Sequence, residues 1–120
     1  MKVVIAGSRT ITSKKALNDA IQASGYNITE VVSGKAFGVD TLGENWAIQN
    51  NVSIKQMPAQ WNQHGRAAGP IRNRQMAEYS DAAIILWDGE SPGTKNMIKE
   101  MQRLKKPYYL QMVFVHDNNN

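Results

Sequence analysis

Four short segments combine glycine with groups that can hold an anion. Gly7-Ser8-Arg9-Thr10 follows an apolar run. A glycine there lets the backbone approach a ligand closely, and the serine hydroxyl and guanidinium can both contact phosphate. The bland alternative is a tight turn with a surface arginine. Ser33-Gly34-Lys35-Ala36-Phe37-Gly38-Val39-Asp40 carries two glycines four apart, which suits amides aimed at an anion ahead of a helix. It matches neither the dinucleotide fingerprint nor the P-loop, because no Gly-Lys-Ser/Thr follows. Asp40 reads most simply as a helix cap, the alternatives being a hydrogen bond to a ribose hydroxyl or a role in fixing the loop. Glu44 lies one turn later on the same face, where a paired acid–base role is conceivable. Further on, Pro58-Ala59-Gln60-Trp61 leads to Gly65-Arg66 and Gly69-Pro70-Ile71-Arg72-Asn73-Arg74. Three arginines near a helix start can hold a phosphate or form a solvated basic face. His64 has no evident partner and reads as a surface residue. Last, Trp87-Asp88-Gly89-Glu90-Ser91-Pro92-Gly93-Thr94 offers Ser91, the Gly93 and Thr94 amides and the Thr94 hydroxyl to an anion. Trp87 can stack on a base or simply end a buried strand.

The elements that must position these groups alternate along the chain. Val3 to Ala6, Val31-Val32, Ser53 to Met57, Ala82 to Trp87 and Tyr108 to Val115 read as strands, short apolar runs bounded by turn residues. Between them lie helical patterns. Leu17 and Ile21 recur behind the caps Thr12 and Ser13 and stop at Gly25. Val39, Leu42, Trp46 and Ala47 make the second pattern and end at Asn50-Asn51. Pro70 to Tyr79 forms the third, after a polar loop from Pro58 to about Ala68. Met97, Ile98, Met101 and Leu104 make the fourth. Strict strand–helix alternation predicts a Rossmann-like three-layer α/β/α sandwich with a mainly parallel five-stranded sheet. It is one domain over 1–115, with a disordered tail at 116–120. Ligands of such sheets sit beyond the carboxyl ends of the strands, where all four glycine-bearing loops begin.

Composition narrows the function. The 120 residues have 42% hydrophobic and 20% charged side chains, which suits one globular core. With no cysteine and only His64 and His116, neither a disulfide framework nor a metal site is expected. No apolar stretch approaches the roughly 20 residues that span a bilayer, so the reading is cytoplasmic, in the host cytoplasm if the protein is phage-encoded. A net charge of +4 favours an anionic partner without saying whether it is a nucleotide or a polymer.

The motifs resemble those of the SLOG superfamily, which includes DNA-processing protein A (Smf) and the Lonely Guy phosphoribohydrolases. Ser33-Gly34-x-Ala36-x-Gly38-Val39-Asp40 is similar to that superfamily's SG-x-A-x-G-[IV]-D signature. Ala68-Gly69-x-x-Arg72-Asn73 and Trp87-Asp88-Gly89-x-Ser91-x-Gly93-Thr94 resemble later motifs of its small stand-alone bacterial and phage members. The resemblance runs from Gly7 to about Pro107. Two departures stand out. Phe37 occupies a position where small members usually carry arginine, so a contact is lost there or moved to Lys35. The phosphoribohydrolases follow Gly-Thr with a catalytic glutamate two residues on, and here that position is Asn96. Arg72 falls where their catalytic arginine stands.

The resemblance therefore implies binding of a nucleotide or nucleotide-derived signal, ADP-ribose-like or cyclic, without turnover, as sensor or sponge. An amide is not a useful base, and glycosidic cleavage needs a carboxylate near its oxocarbenium-like state. A phosphoribohydrolase-like N-glycosidase is the alternative, with Glu90, Asp88 or Asp40 supplying the carboxylate. Single-stranded DNA binding is the second alternative, supported by Lys95, Lys99, Arg103 and Lys106 along one helix face. No cofactor is expected, no membrane partner either, and homo-oligomerisation stays open. The expected ligand contacts are Gly7, Ser8, Arg9, Ser33, Gly34, Lys35, Gly38, Asp40, Arg72, Asn73, Trp87, Asp88, Ser91, Gly93 and Thr94.

Overall fold

The computed structural model describes residues 1–114. The expected strand end at Val115 and the tail 116–120 lie outside the described residues. Five strands, β1 (Lys2–Gly7), β2 (Glu30–Ser33), β3 (Ser53–Gln56), β4 (Ala82–Trp87) and β5 (Tyr108–Met112), form one sheet. Its order is β3-β2-β1-β4-β5, and every pairing is parallel. This is the expected Rossmann-like α/β architecture. Strand order reverses between β1 and β4, so the loops leaving these two strands diverge and open a crevice between them.

Hydrophobic patterning fixes which strands are central. In β1, Val3, Val4, Ile5 and Ala6 are all buried, and in β4 Ala82 to Leu86 are buried without a break, as expected for parallel strands covered on both faces. Val3, Ile5, Val31, Ile84 and Leu86 point to one face, where Leu17 and Ala20 of α1 (Lys14–Ser24) and Val39, Leu42 and Ala47 of α2 (Val39–Gln49) cover them. Val4, Ala6, Val32, Ala83 and Ile85 point to the other. There they meet Met76 and Ala77 of α4 (Ala68–Tyr79) and Met97, Ile98 and Met101 of α5 (Pro92–Arg103). Each Val, Leu, Ile or Met among them, fully buried, stabilises the fold by roughly 1.5–3 kcal/mol relative to exposure, and each Ala by less.

The helix ends follow local chemistry. Ser13 caps α1, its hydroxyl accepting from the Ala16 amide at 3.1 Å, and Gly25 ends that helix in the left-handed region at φ 68°, a conformation open to glycine at no steric cost. Pro92 occupies the first turn of α5, where its missing N–H would have no helical partner. The segment from Pro58 to Ala68 is not all loop. It contains a one-turn helix, α3 (Trp61–His64), and a 3-10 turn at Gly65–Ala67 that runs into α4, so α4 begins two residues before Pro70. Ala67 and Ala68 are compatible with helix, and proline in the first turns does not stop one.

Among the described residues no helix is long and apolar enough to cross a membrane.

Candidate functional site

A cleft of about 590 Å³ lies at the carboxyl edge of the sheet, over the crevice between β1 and β4. The close passage of β1 and β4 depends on Gly7: a β-carbon there would lie 2.0 Å from the Leu86 carbonyl oxygen and 2.7 Å from Val39 Cγ2. Ser8 follows directly and is almost fully buried. Its hydroxyl accepts from the Asp88 amide at 3.1 Å and meets the Ser91 hydroxyl at 3.0 Å, tying the first loop to the last.

In that last loop Asp88 organises the backbone. Its carboxylate accepts from the Glu90 and Ser91 amides at 2.8 and 2.9 Å, and from the Ser91 hydroxyl at 3.1 Å. Partial burial works to raise the Asp88 carboxyl, but the hydrogen bonds from Ser91, Glu90 and Ser8 outweigh it and hold the pKa below the usual value. The effect is to present the start of α5, with the amides of Gly93 and Thr94, to the cleft. First-turn amides have no partner within a helix and carry the positive end of its dipole.

The β2–α2 loop supplies the third wall. Gly38 sits at φ 78° and ψ −122°, and a β-carbon there would meet the Arg9 and Ser8 carbonyl oxygens at 2.5 and 2.6 Å. Only glycine lets this loop lie against the first one. Gly38, rather than Asp40, is the cap residue of α2. Asp40 instead fixes the loop: it is buried, and its Oδ2 accepts from the Ala36 amide at 3.3 Å. Burial pushes the Asp40 carboxyl up to about 6, against the opposing pull of the Ala36 amide, the Arg72 guanidinium and the Gly34 amide, while the Glu44 charge adds to the rise.

Arg72, on α4, closes the arrangement. It donates from Nη1 to the Gly34 carbonyl at 2.5 Å and from Nε to Asn73 Oδ1 at 3.0 Å. Asn73 Nδ2 in turn donates to the Gly93 carbonyl at 3.1 Å and to Asn96 Oδ1 at 2.9 Å. A chain of polar side chains thus runs from the β2–α2 loop to α5 and locks the guanidinium. Burial lowers the Arg72 pKa, with the like charge of Arg9 acting in the same direction and Asp40 opposing both. A guanidinium remains protonated regardless, so the cleft keeps its positive character. The Nε hydrogen and one Nη1 hydrogen are committed in this way, and the guanidinium has three further N–H donors, one on Nη1 and two on Nη2.

Of the residues expected from sequence, Gly7, Ser8, Arg9, Asp40, Arg72, Asn73, Ser91, Gly93 and Thr94 line this cleft. Ser33, Gly34, Lys35, Gly38, Trp87 and Asp88 do not line it. Ser33 donates to Glu44 Oε2 at 2.5 Å, and Lys35 pairs with Glu44 at 3.7 Å. That Glu44 is held in this network rather than facing the cleft argues against its pairing with Asp40 as acid and base. Trp87 packs on the α4–α5 core and donates from Nε1 to the Ser91 carbonyl at 3.1 Å. Phe37 is 77% exposed and outside the lining. Thr10, Ala36, Trp61, Arg66, Gly69, Pro70, Met76 and Met97, which residue type alone does not single out, also line the cleft. Trp61 and Arg66 were visible as residue types near a helix start, but only the unrecognised α3 and the 3-10 turn after it bring them to the cleft. Arg74 faces away and pairs with Glu100 at 3.6 Å. Among the described residues no group of three or more His, Asp or Glu side chains is placed to hold a metal ion.

Fold and site together define a Rossmann-like α/β protein with its cleft at the strand-order reversal. Residues 1–64 match the profile of the YspA, cpYpsA-related SLOG family, YAcAr, and the chain belongs to that family. Over 116 residues it is 33% identical to the Gene 61 protein of Mycobacterium phage D29, an overlap covering 88% of this chain and 92% of the relative. No solved structure matches the chain. Membership points to a nucleotide-related function. The profile covers the loops after β1 and β2, whereas Arg72, Asn73, Thr94 and Asn96 lie beyond it and stand on the geometry above.

Proposed function

We propose that the cleft binds a nucleotide or nucleotide-derived metabolite, ADP-ribose-like or cyclic, through its anionic end and holds it without turnover, as sensor or sponge. Arg9, Arg72, the Thr94 hydroxyl and the first-turn amides of α5 are the anion contacts, with Ser8 and Ser91 completing the pocket. Nine of the expected contacts share one cavity whose cationic groups outnumber its single lining carboxyl, Asp40. The role fits a cytoplasmic protein, in the host cytoplasm if phage-encoded.

One observation carries the reading of binding without chemistry. Asn96 lines the cleft between Arg72 and the start of α5, and its amide oxygen already accepts from Asn73. A neutral amide engaged in this way neither takes a proton nor offsets positive charge at a sugar carbon. Groups that pair with the ground state and the transition state alike give affinity without acceleration. The second reading, N-glycosidic hydrolysis, draws on Asp40, whose buried carboxyl with a pKa of about 6 lines the same cavity and so falls in the range suited to general acid–base work. DNA binding finds less support. The basic row on α5 is interrupted by Glu100, which pairs with Arg103 at 3.0 Å as well as with Arg74.

Incubating the protein with AMP or ADP-ribose, denaturing it and separating the products should return the ligand intact. Calorimetry should show Arg72→Ala losing about one to two decades of affinity, the equivalent of a charge-assisted hydrogen bond of roughly 1.5–3 kcal/mol. Multiple turnovers releasing free base, abolished by Asp40→Asn, would establish the hydrolase instead.

A further inference from the structure

We propose that α3 and the 3-10 turn after it form a second subsite, in which Trp61 stacks on the aromatic base of a nucleoside phosphate. This rests on the reading of the cleft as an anion site and names what its other end recognises. The protein then selects nucleotides over sugar phosphates of the same charge.

The three tryptophans make the case by contrast. Trp46 packs against the α1–α2 core, and Trp87 packs against the α4–α5 core and uses its indole N–H on Ser91. Trp61 belongs to neither core, is 53% exposed and makes no hydrogen bond through its indole N–H among the described residues, yet it lines the cleft. A large aromatic side chain normally contributes by being buried, and here no buried side chain of its own element holds it. Neither α3 nor the 3-10 turn buries any residue. The indole instead leans over the first turn of α4, with Cη2 3.6 Å from where a β-carbon on Gly69 would lie. Arg66 lines the cleft from the same segment.

The arrangement is thus an aromatic side chain and a guanidinium from one short segment, lining the same cavity as the anion-binding groups. Stacking is tolerant of base identity because every base presents a π-face, so the selection is for a base as such. A ligand lacking the base reaches Arg72 and the α5 terminus but leaves the indole in water.

The test compares AMP with ribose 5-phosphate, which carries the same anion without the base, by calorimetry on wild type, Trp61→Leu, Trp61→Phe and Arg72→Ala. Trp61→Leu should weaken AMP about 5- to 100-fold, the equivalent of one base stacked on one aromatic ring, and leave ribose 5-phosphate unchanged. Trp61→Phe should recover most of the loss. Arg72→Ala should weaken both ligands. Equal affinity of wild type for the two ligands, or a Trp61→Leu effect that is absent or common to both, overturns the base subsite while Arg72-dependent binding of ribose 5-phosphate leaves the anion site standing. If neither ligand binds at millimolar concentration, the anion site fails and the base subsite with it.

Discussion

At one end of the cleft Ser8, Arg72 and Asn73 are tied by hydrogen bonds that cross between elements, Asp40 is tied within its own loop, and Ser8, Asp40 and Asn73 are buried. At the other end Trp61 and Arg66 ride on a four-residue helix and a three-residue turn that bury nothing. The backbone of α3 is held by the Gln60 carbonyl, which accepts from the Gln63 and His64 amides at 3.0 and 2.9 Å. The first end is pre-organised: its donors are positioned before a ligand arrives, so little ordering entropy opposes binding. The second has the few buried contacts of a segment that opens locally at low free energy. One end can set geometry and the other can adapt to what protrudes from it.

This contrast is open to a direct attack on the rigid end. Gly7→Ala places a methyl group 2.0 Å from the Leu86 carbonyl oxygen, a main-chain atom of the paired strand. Nothing flexible can yield, so β1 and β4 must separate. The cost should be at least about 3 kcal/mol, seen as a fall in melting temperature of more than about 10 °C. A variant melting within a degree or two of wild type would mean that the strand crossing is not fixed as described.

The buried carboxyl gives the next largest effect. Asp40 has a folded-state pKa of about 6 against an ordinary value of 3.8, so the native state binds the proton more tightly than the unfolded chain. Its contribution to stability is therefore fully present below about 3.8 and is lost as pH rises through 6. A difference of about two pKa units corresponds to roughly 3 kcal/mol. Asp88 has the opposite sign: its depressed pKa gives stability above the ordinary value that is lost only as pH falls further. Denaturant titrations of wild type and Asp40→Asn between pH 4 and 7 should diverge by an amount of that order, the wild type losing ground as pH rises. Parallel curves would remove Asp40 from the buried network.

How much of this was legible in the sequence also divides between the two ends. The central strands announced themselves because Val3 to Ala6 and Ala82 to Leu86 are apolar at every position, and only burial on both faces demands that. The anion end was legible because close approach leaves glycine few substitutes, and Gly7 and Gly38 stand beside the polar groups of their loops. What sequence could not show is which side of the wall each group occupies. Lys35 and Ser33 look as suitable for a ligand as Arg9 and Ser8, but Glu44, eleven residues on from Ser33, draws them into a separate network. Trp61 was hidden for a different reason. A single helical turn has no periodicity to detect, because one turn closes too few hydrogen bonds to signal itself above its loop, and the long polar stretch after Pro58 gave no face to count.

The smallest expected effect is the most discriminating for the loosely held end. Gly69 lies in the first turn of α4, and a β-carbon there would reach Trp61 Cη2 at 3.6 Å, an ordinary van der Waals contact with a side chain that can move. Alanine restricts the unfolded chain and favours helix over glycine, worth up to about 1 kcal/mol in a helix interior and less near its start. Gly69→Ala should therefore raise stability by a few tenths of a kcal/mol to about 1 kcal/mol, the opposite sign to Gly7→Ala. It should also leave AMP affinity within about threefold of wild type, since the indole can shift without losing its exposed face. Urea midpoints and calorimetry on the one variant read both. A destabilisation of more than about 1 kcal/mol would show that α3 is packed against α4 as tightly as the loops of the anion end are packed against each other, and the distinction between a fixed and an adaptable end would not survive.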